Sequence, residues 1–164
     1  NYNKKLDKNL IIKIKKYCNL KKRKFFLSNN IKLALKFGLD GVYIPSFNNS
    51  LRHLNYPKKQ NFLIIGSAHN YKEIREKELQ NVDIIFLASL YNKKKTYLGF
   101  NKFKLLTKQT KKRIVALGGI NQKNLKSLKL LNIYGYSGIN LFNAKKNGPQ
   151  KIEGRFKFSK MLLY

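Results

Sequence analysis

Carboxylates are scarce in this 164-residue chain: Asp and Glu number 7 against 36 Lys plus Arg, for a net charge of +29. All seven can be named: Asp7, Asp40, Glu73, Glu76, Glu78, Asp83 and Glu153. A hard divalent cation prefers carboxylate oxygens, so any metal site must draw on this short inventory. Cysteine is nearly absent. Cys18 alone excludes an internal disulfide framework and a Cys-rich zinc site, and it fits a reducing cytoplasm. His53 and His69 are the only histidines, so a Cys–His catalytic pair has just two candidate partners for Cys18. No apolar run approaches ~18 residues, so no segment reads as a membrane span. Walker loops, G-x-S-x-G, H-E-x-x-H and paired-Cys motifs are missing too.

Arginine is also sparse. It occurs at positions 23, 52, 75, 113 and 155, which leaves 31 of the 36 basic residues as lysines. Guanidinium forks are the usual means of bidentate phosphate and base-edge recognition, whereas scattered ammonium groups are mostly solvated point charges. The composition therefore does not point to a specific nucleic-acid partner. Lys, Asn, Ile, Tyr and Phe share AT-rich codons, and a low-GC genome yields this balance without selection for a polyanion. A basic protein associated with RNA or a membrane surface through charge alone is the weaker reading.

Hydrophobic residues make up 43% of the chain, enough to build the core of one domain, taken as residues 1–164. The pattern alternates. Asp7 opens a helix over about 7–19, with Leu10, Ile11, Ile14 and Cys18 at helical spacing. Short apolar runs predict six strands near 24–27, 41–45, 62–66, 83–89, 113–117 and 134–141. Between them lie a helix capped after Ser28-Asn29-Asn30 and stopped at Gly38, and a charged helix entered through an Asn70/Glu73 capping box. Further helices are predicted from Phe100 to about Thr110, with Phe103 and Leu106 inward, and from Asn121, carrying Leu125, Leu128 and Leu131. A short final helix is expected near Phe156 to Leu163. Continuously apolar strands alternating with amphipathic helices mean parallel βα units, compatible with a doubly wound sheet or a barrel.

Particular segments narrow this choice. Phe25-Phe-Leu-Ser-Asn-Asn-Ile-Lys-Leu-Ala-Leu-Lys-Phe-Gly-Leu-Asp-Gly-Val-Tyr-Ile44 resembles the "IND…LALAxGADGVHLG" stretch of thiamine-phosphate synthases and their TenI relatives. Ile65 to His69 resembles the family's "GxSxH", Asp83 to Ser89 its "DYIGVGP", Val115 to Ile120 its "VAIGGI", and Gly135 to Phe142 its closing "GVAVISAI". Five matches in order, over about residues 8–142, imply a (β/α)8 TIM barrel with its ligand site at the C-terminal strand ends. The first recognisable element corresponds to the family's second helix. The resemblance thus implies an N-terminally truncated barrel with six recognisable parallel strands, the first two lying upstream of Asn1.

Family members join a hydroxymethylpyrimidine diphosphate to a thiazole phosphate with release of diphosphate. Such chemistry needs charge neutralisation on the leaving group by magnesium, basic side chains or backbone donors. The resemblance implies Mg2+, a phosphorylated small-molecule substrate and cytoplasmic placement, with self-association left open. Its phosphate-binding positions fall on Ser67, Lys94, Lys95, Thr96, Gly118, Gly119, Gly138 and Asn140, and its pyrimidine side on Asn29 and His69. The two family aspartates that would hold magnesium fall on Asn29 and Asn48, so no metal ligand is assigned. The alternative is a non-catalytic, phosphate-binding TenI-like paralogue. Paired glycines also serve tight βα turns, and His69 suits a capping role. Ser89 stands where related thiazole tautomerases carry a histidine, which does not support that activity.

Overall fold

A computed structural model of the chain describes residues 7–93, 95–138 and 161–163, the last three through their backbone only. Its elements are α1 (Lys8–Leu20), β1 (Lys24–Ser28), α2 (Ile31–Lys36), β2 (Gly41–Ile44), β3 (Leu63–Ala68), α3 (Tyr71–Leu79), β4 (Ile84–Leu87), α4 (Gly99–Lys108), β5 (Arg113–Leu117), β6 (Gly135–Ser137) and β7 (Met161–Leu163). Short 3-10 turns occur at Arg52–Asn55, Gln122–Asn124 and Lys126–Leu130. Asp7, Asn30 and Asn70 cap α1, α2 and α3 by accepting from the N–H groups of Asn9, Leu33 and Glu73. Each thereby satisfies one of the donors that a helix start leaves open.

All strand pairs are parallel, in the order β6-β5-β4-β3-β2-β1-β7, and the sheet curls into part of a barrel. Strand alternation sorts the core into two layers. Phe25, Leu27, Ile64, Ile85, Leu87, Ile114 and Ala116 pack under the helices with Ile11, Ala34, Ile74 and Phe103. Phe26, Ile65, Ile84, Phe86 and Val115 point to the other face and form a second cluster with Tyr43, Leu63 and Leu117. Burial on both faces explains why these strands read as unbroken apolar runs rather than alternating ones.

The (β/α)8-type architecture and its six strands stand as expected, with two differences. The segment after Asn121 forms two 3-10 turns, not an α-helix. Its i→i+3 bonds, Leu128 N to Leu125 O and Leu131 N to Leu128 O, match the three-residue spacing of the leucines, which is the 3-10 period. At the other end of the chain, Met161–Leu163 is a strand rather than the end of a helix, and it pairs with β1 in the register Lys24↔Met161 to Phe26↔Leu163. An edge strand presents a row of unpaired main-chain groups, and this apolar triplet satisfies those of β1. The rest of the expected final helix, the end of the last predicted strand and Asn140 lie outside the described residues.

Candidate functional site

Because every strand runs the same way, the residues that leave their C-terminal ends share one rim. Asp40 and Asp83 lie at the opposite rim. Asp40 Oδ2 accepts from Phe25 N at 2.8 Å and Asp83 Oδ2 from Ile64 N at 2.7 Å, so each carboxylate caps the start of the preceding strand. Both are structural, and neither lies at the C-terminal rim.

At the C-terminal rim, Asn29 follows β1 in a left-handed conformation, φ 57°, and Asn48 stands in the loop after β2. Their side chains meet: Asn48 Nδ2 donates to Asn29 Oδ1 at 2.5 Å. Asn48 is held further by its own Oδ1, which accepts from Ser50 N at 2.8 Å, and by its N–H, which donates to Pro45 O. The Asn48 carbonyl receives two donors from below, Lys77 Nζ at 2.8 Å and Gln80 Nε2 at 2.7 Å. Lys77 and Gln80 are wholly buried. Burial pulls the Lys77 pKa from 10.5 down to about 8, against the opposing pull of the Glu76 and Glu73 carboxylates.

Ser67 lies inside β3 rather than in the loop beyond it, two residues after Ile65 and so on the same concave face. Ser28 shares that face with Phe26, and its buried hydroxyl has no hydrogen-bond partner among the described residues. His69 turns away toward α3: its backbone N and its Nδ1 both contact Glu73 Oε2, at 2.7 and 2.9 Å. The expected Asn70/Glu73 capping box is therefore half formed. Asn70 Oδ1 accepts from Glu73 N, but Glu73 reaches the main chain of His69, one residue earlier.

The loops after β4 and β5 touch. Ser89 N donates to Thr96 O at 3.0 Å, Leu98 N to Ser89 O at 2.9 Å, and Ser89 Oγ to Asn92 O, which folds the 89–98 loop back on itself. Tyr91 N donates to Gly118 O. Gly118 and Gly119 both have positive φ, 95° and 75°. A Cβ on Gly118 would lie 2.3 Å from Ser89 Oγ, and one on Gly119 would lie 2.7 Å from Asn92 N. The glycine pair thus allows two loops to approach, beyond simply permitting a turn. Gly138 closes on the same region, where a Cβ would sit 2.9 Å from Ile120 O. Among the described residues the N–H groups of Gly119 and Ile120 have no acceptor, while Gly119 O is taken by Asn124 Nδ2. Two amides without an acceptor among the described residues, beside a tight glycine turn, suit an anion. Lys95 and Thr96 are exposed on the neighbouring loop, without hydrogen bonds from their side chains to other candidate residues; Lys94 lies outside the described residues.

Magnesium does not fit this rim. The two amides at the expected aspartate positions satisfy one another, Glu73 holds His69 and Asn70, and Glu78 holds Arg75 and Thr110. Among the described residues no group of three His, Cys, Asp or Glu side chains could hold a metal. A Cys–His pair is not formed either. Cys18 is buried on the inner face of α1 with its thiol pKa pushed up by burial, and His53 Nε2 contacts Gln80 O at 2.7 Å. Sequence reasoning missed the buried, unpartnered hydroxyl of Ser28, and it missed Lys77 and Gln80 altogether. Ile74 and Lys77 on the inward face of α3 and Gln80 at its C-cap recur every three residues, a signal that the lysine-rich background conceals.

The family model described as "Thiamine monophosphate synthase" matches residues 2–142. The chain belongs to the thiamine monophosphate synthase family. Among its relatives in that family, thiamine-phosphate synthase of Methanococcus vannielii is 29% identical over 135 residues, covering 74% of this chain and 65% of the relative. That of Pelagibacter ubique is 31% identical over 144 residues, covering 84% and 69%. Thiamine-phosphate synthase of Latilactobacillus sakei is 26% identical, and the chain spans 60% of its length. The thiamine phosphate pyrophosphorylase structure from Pyrococcus furiosus superposes with a TM-score of 0.65 at 19% identity, covering 82% of this chain and 68% of that one, which supports the shared fold.

Proposed function

We propose that the chain serves thiamine biosynthesis as a single barrel domain that binds a phosphorylated precursor at its C-terminal rim. In the whole protein, the corresponding reaction joins hydroxymethylpyrimidine diphosphate to thiazole phosphate. The bond between the pyrimidine methylene carbon and the diphosphate oxygen breaks, the thiazole nitrogen forms the new bond to that carbon, and diphosphate leaves with the electron pair. The observation that carries this reading is the pair of N–H groups at Gly119 and Ile120 that have no acceptor among the described residues, set against the basic loop after β4. Ser67, Lys95, Thr96 and Gly138 lie at the same end of the sheet. Developing charge on diphosphate is stabilised best by donors already fixed in place, and these backbone amides are. Exposed lysines stand on all four α-helices, while the guanidinium groups that specific nucleic-acid recognition favours number only five in the chain, which lends little weight to such a role. No helix among the described residues is long and apolar enough to cross a membrane.

A second reading has its own observation. The Asn29–Asn48 pair replaces the carboxylates that would hold magnesium, which favours a phosphate-ligand-binding paralogue without metal-dependent catalysis. Incubating the full-length protein with both substrates, with and without Mg2+, separates the two. Thiamine phosphate formation supports the transferase. Binding of thiazole phosphate or pyrophosphate without product, and with affinity unchanged by Mg2+, supports the paralogue. Absence of both binding and product refutes the shared premise.

A further inference from the structure

The loop between β2 and β3 carries Asn48, and its position is set from the last turn and C-cap of α3. Lys77 Nζ donates to Asn48 O and to Gln80 Oε1, both at 2.8 Å. Gln80 Nε2 spans Asn48 O at 2.7 Å and Ser50 O at 3.0 Å, and Gln80 O is engaged by His53 Nε2 from the 3-10 turn of the same loop. Three residues of one loop are therefore gripped by two buried residues one helical turn apart. The site is shaped around the lysine: a Cβ on Gly66 would lie 2.8 Å from Lys77 Cδ, so β3 has glycine where the aliphatic stem passes. Burying an amine is costly unless its hydrogen bonds are made. Here the two acceptors equal the two N–H groups of a neutral amine, so the grip holds whether or not the nitrogen carries its third proton.

We propose that Lys77 and Gln80 are positioning residues of the candidate site: by clamping the main-chain carbonyl of Asn48 they hold its side-chain amide against Asn29 at the C-terminal mouth of β1 and β2. The inference rests on the proposed function only in taking that mouth as part of the ligand site. Lys77 bonds the main chain of Asn48 and makes no hydrogen bond to Asn29, so its influence on Asn29 passes through Asn48, and a double-mutant cycle detects such transmission.

The test combines a ligand-free and a ligand-bound measurement on the full-length protein. Residue-resolved hydrogen exchange follows the Ser50 amide, which donates to Asn48 Oδ1, in Lys77→Met and, independently, in Gln80→Met. Ser50 exchange accelerating by about tenfold or more, while the Ile65 and Ile85 amides of the core strands change far less, is the expected result. Unchanged Ser50 exchange, or one common acceleration at every amide, overturns the clamp. Because the two variants remove different donors to one carbonyl, failure of either to fold leaves the other to decide. In the second arm inorganic pyrophosphate is the probe. Lys77→Met and Asn29→Ala should each weaken its binding several-fold, and the double variant should be no weaker than the worse single one. Strictly multiplicative losses would show that Lys77 does not act through the Asn48–Asn29 contact. If pyrophosphate fails to bind the unmodified protein, the ligand-site reading falls, and the exchange result still decides the clamp.

Discussion

Replacing Lys77 by methionine should change how stability depends on pH, and the size of that change follows from burial. The ammonium is wholly buried and its pKa lies at about 8 instead of 10.5. Between those values the unfolded chain still binds a proton that the native protein has released, so the free energy of unfolding rises with pH in that window. Below about pH 8 both states are protonated, and the full cost of the buried charge is present. Two and a half pKa units correspond to about 3 kcal/mol, and from pH 7 to pH 10 roughly 2–3 kcal/mol of it is relieved. Urea denaturation of the parent and of Lys77→Met at several pH values gives the difference directly, because the other lysines and the tyrosines titrate alike in both. The parent should gain about 2–3 kcal/mol relative to the variant as pH rises from 7 to 10. At neutral pH alone the comparison decides little: the variant loses the cost of the charge but leaves Gln80 Oε1 without its donor. A difference that is flat across this range would refute the argument, since the lysine would then titrate as an exposed one.

Substituting Gly119 with alanine should cost about 2 kcal/mol or more, because φ of 75° disfavours an L side chain and the new Cβ would press on Asn92 N. Thermal unfolding should show the loss, and a proteolysis time course should find the 89–98 loop cut faster. Asp83→Ala should destabilise by about 1–3 kcal/mol through the bond lost to Ile64 N, yet leave pyrophosphate affinity unchanged, since Asp83 caps the opposite rim. A loss of affinity larger than twofold would contradict that placement.

Much of the fold was legible because it is specified locally. Asp7, Asn30 and Asn70 mark the helix starts through side-chain to backbone bonds spanning two or three residues. The runs KFFLS, LIIGSA and RIVAL coincide with strands β1, β3 and β5, since parallel strands buried on both faces need uninterrupted apolar sequence. The segment after Asn121 was misread because leucines at intervals of three fit an α-helical stripe and a 3-10 turn alike. Met161–Leu163 was misread because its state is set by the open edge of β1, 137 positions earlier in register, which no local pattern encodes. The rim was legible in part. Gly118 and Gly119 were recognisable as a close-approach turn, but their approach to Ser89 and Asn92 depends on how the two loops fold back.

The sequence by itself determined the order of the first six strands and of α1 to α4, the parallel layering, the family resemblance, and the lack of acid at the positions where that resemblance implies magnesium. Those properties reside in residue type and short-range periodicity. The tertiary structure decided what replaced the missing carboxylates. Asn29 and Asn48 are 19 residues apart and meet only because β1 and β2 pair in one register, and Lys77 reaches Asn48 across 29 residues only because α3 packs on β3 beneath that loop. Contacts of this kind depend on strand register and loop closure, so the scarcity of acid shows its consequence, an amide pair clamped from beneath by a buried lysine, only in the folded chain.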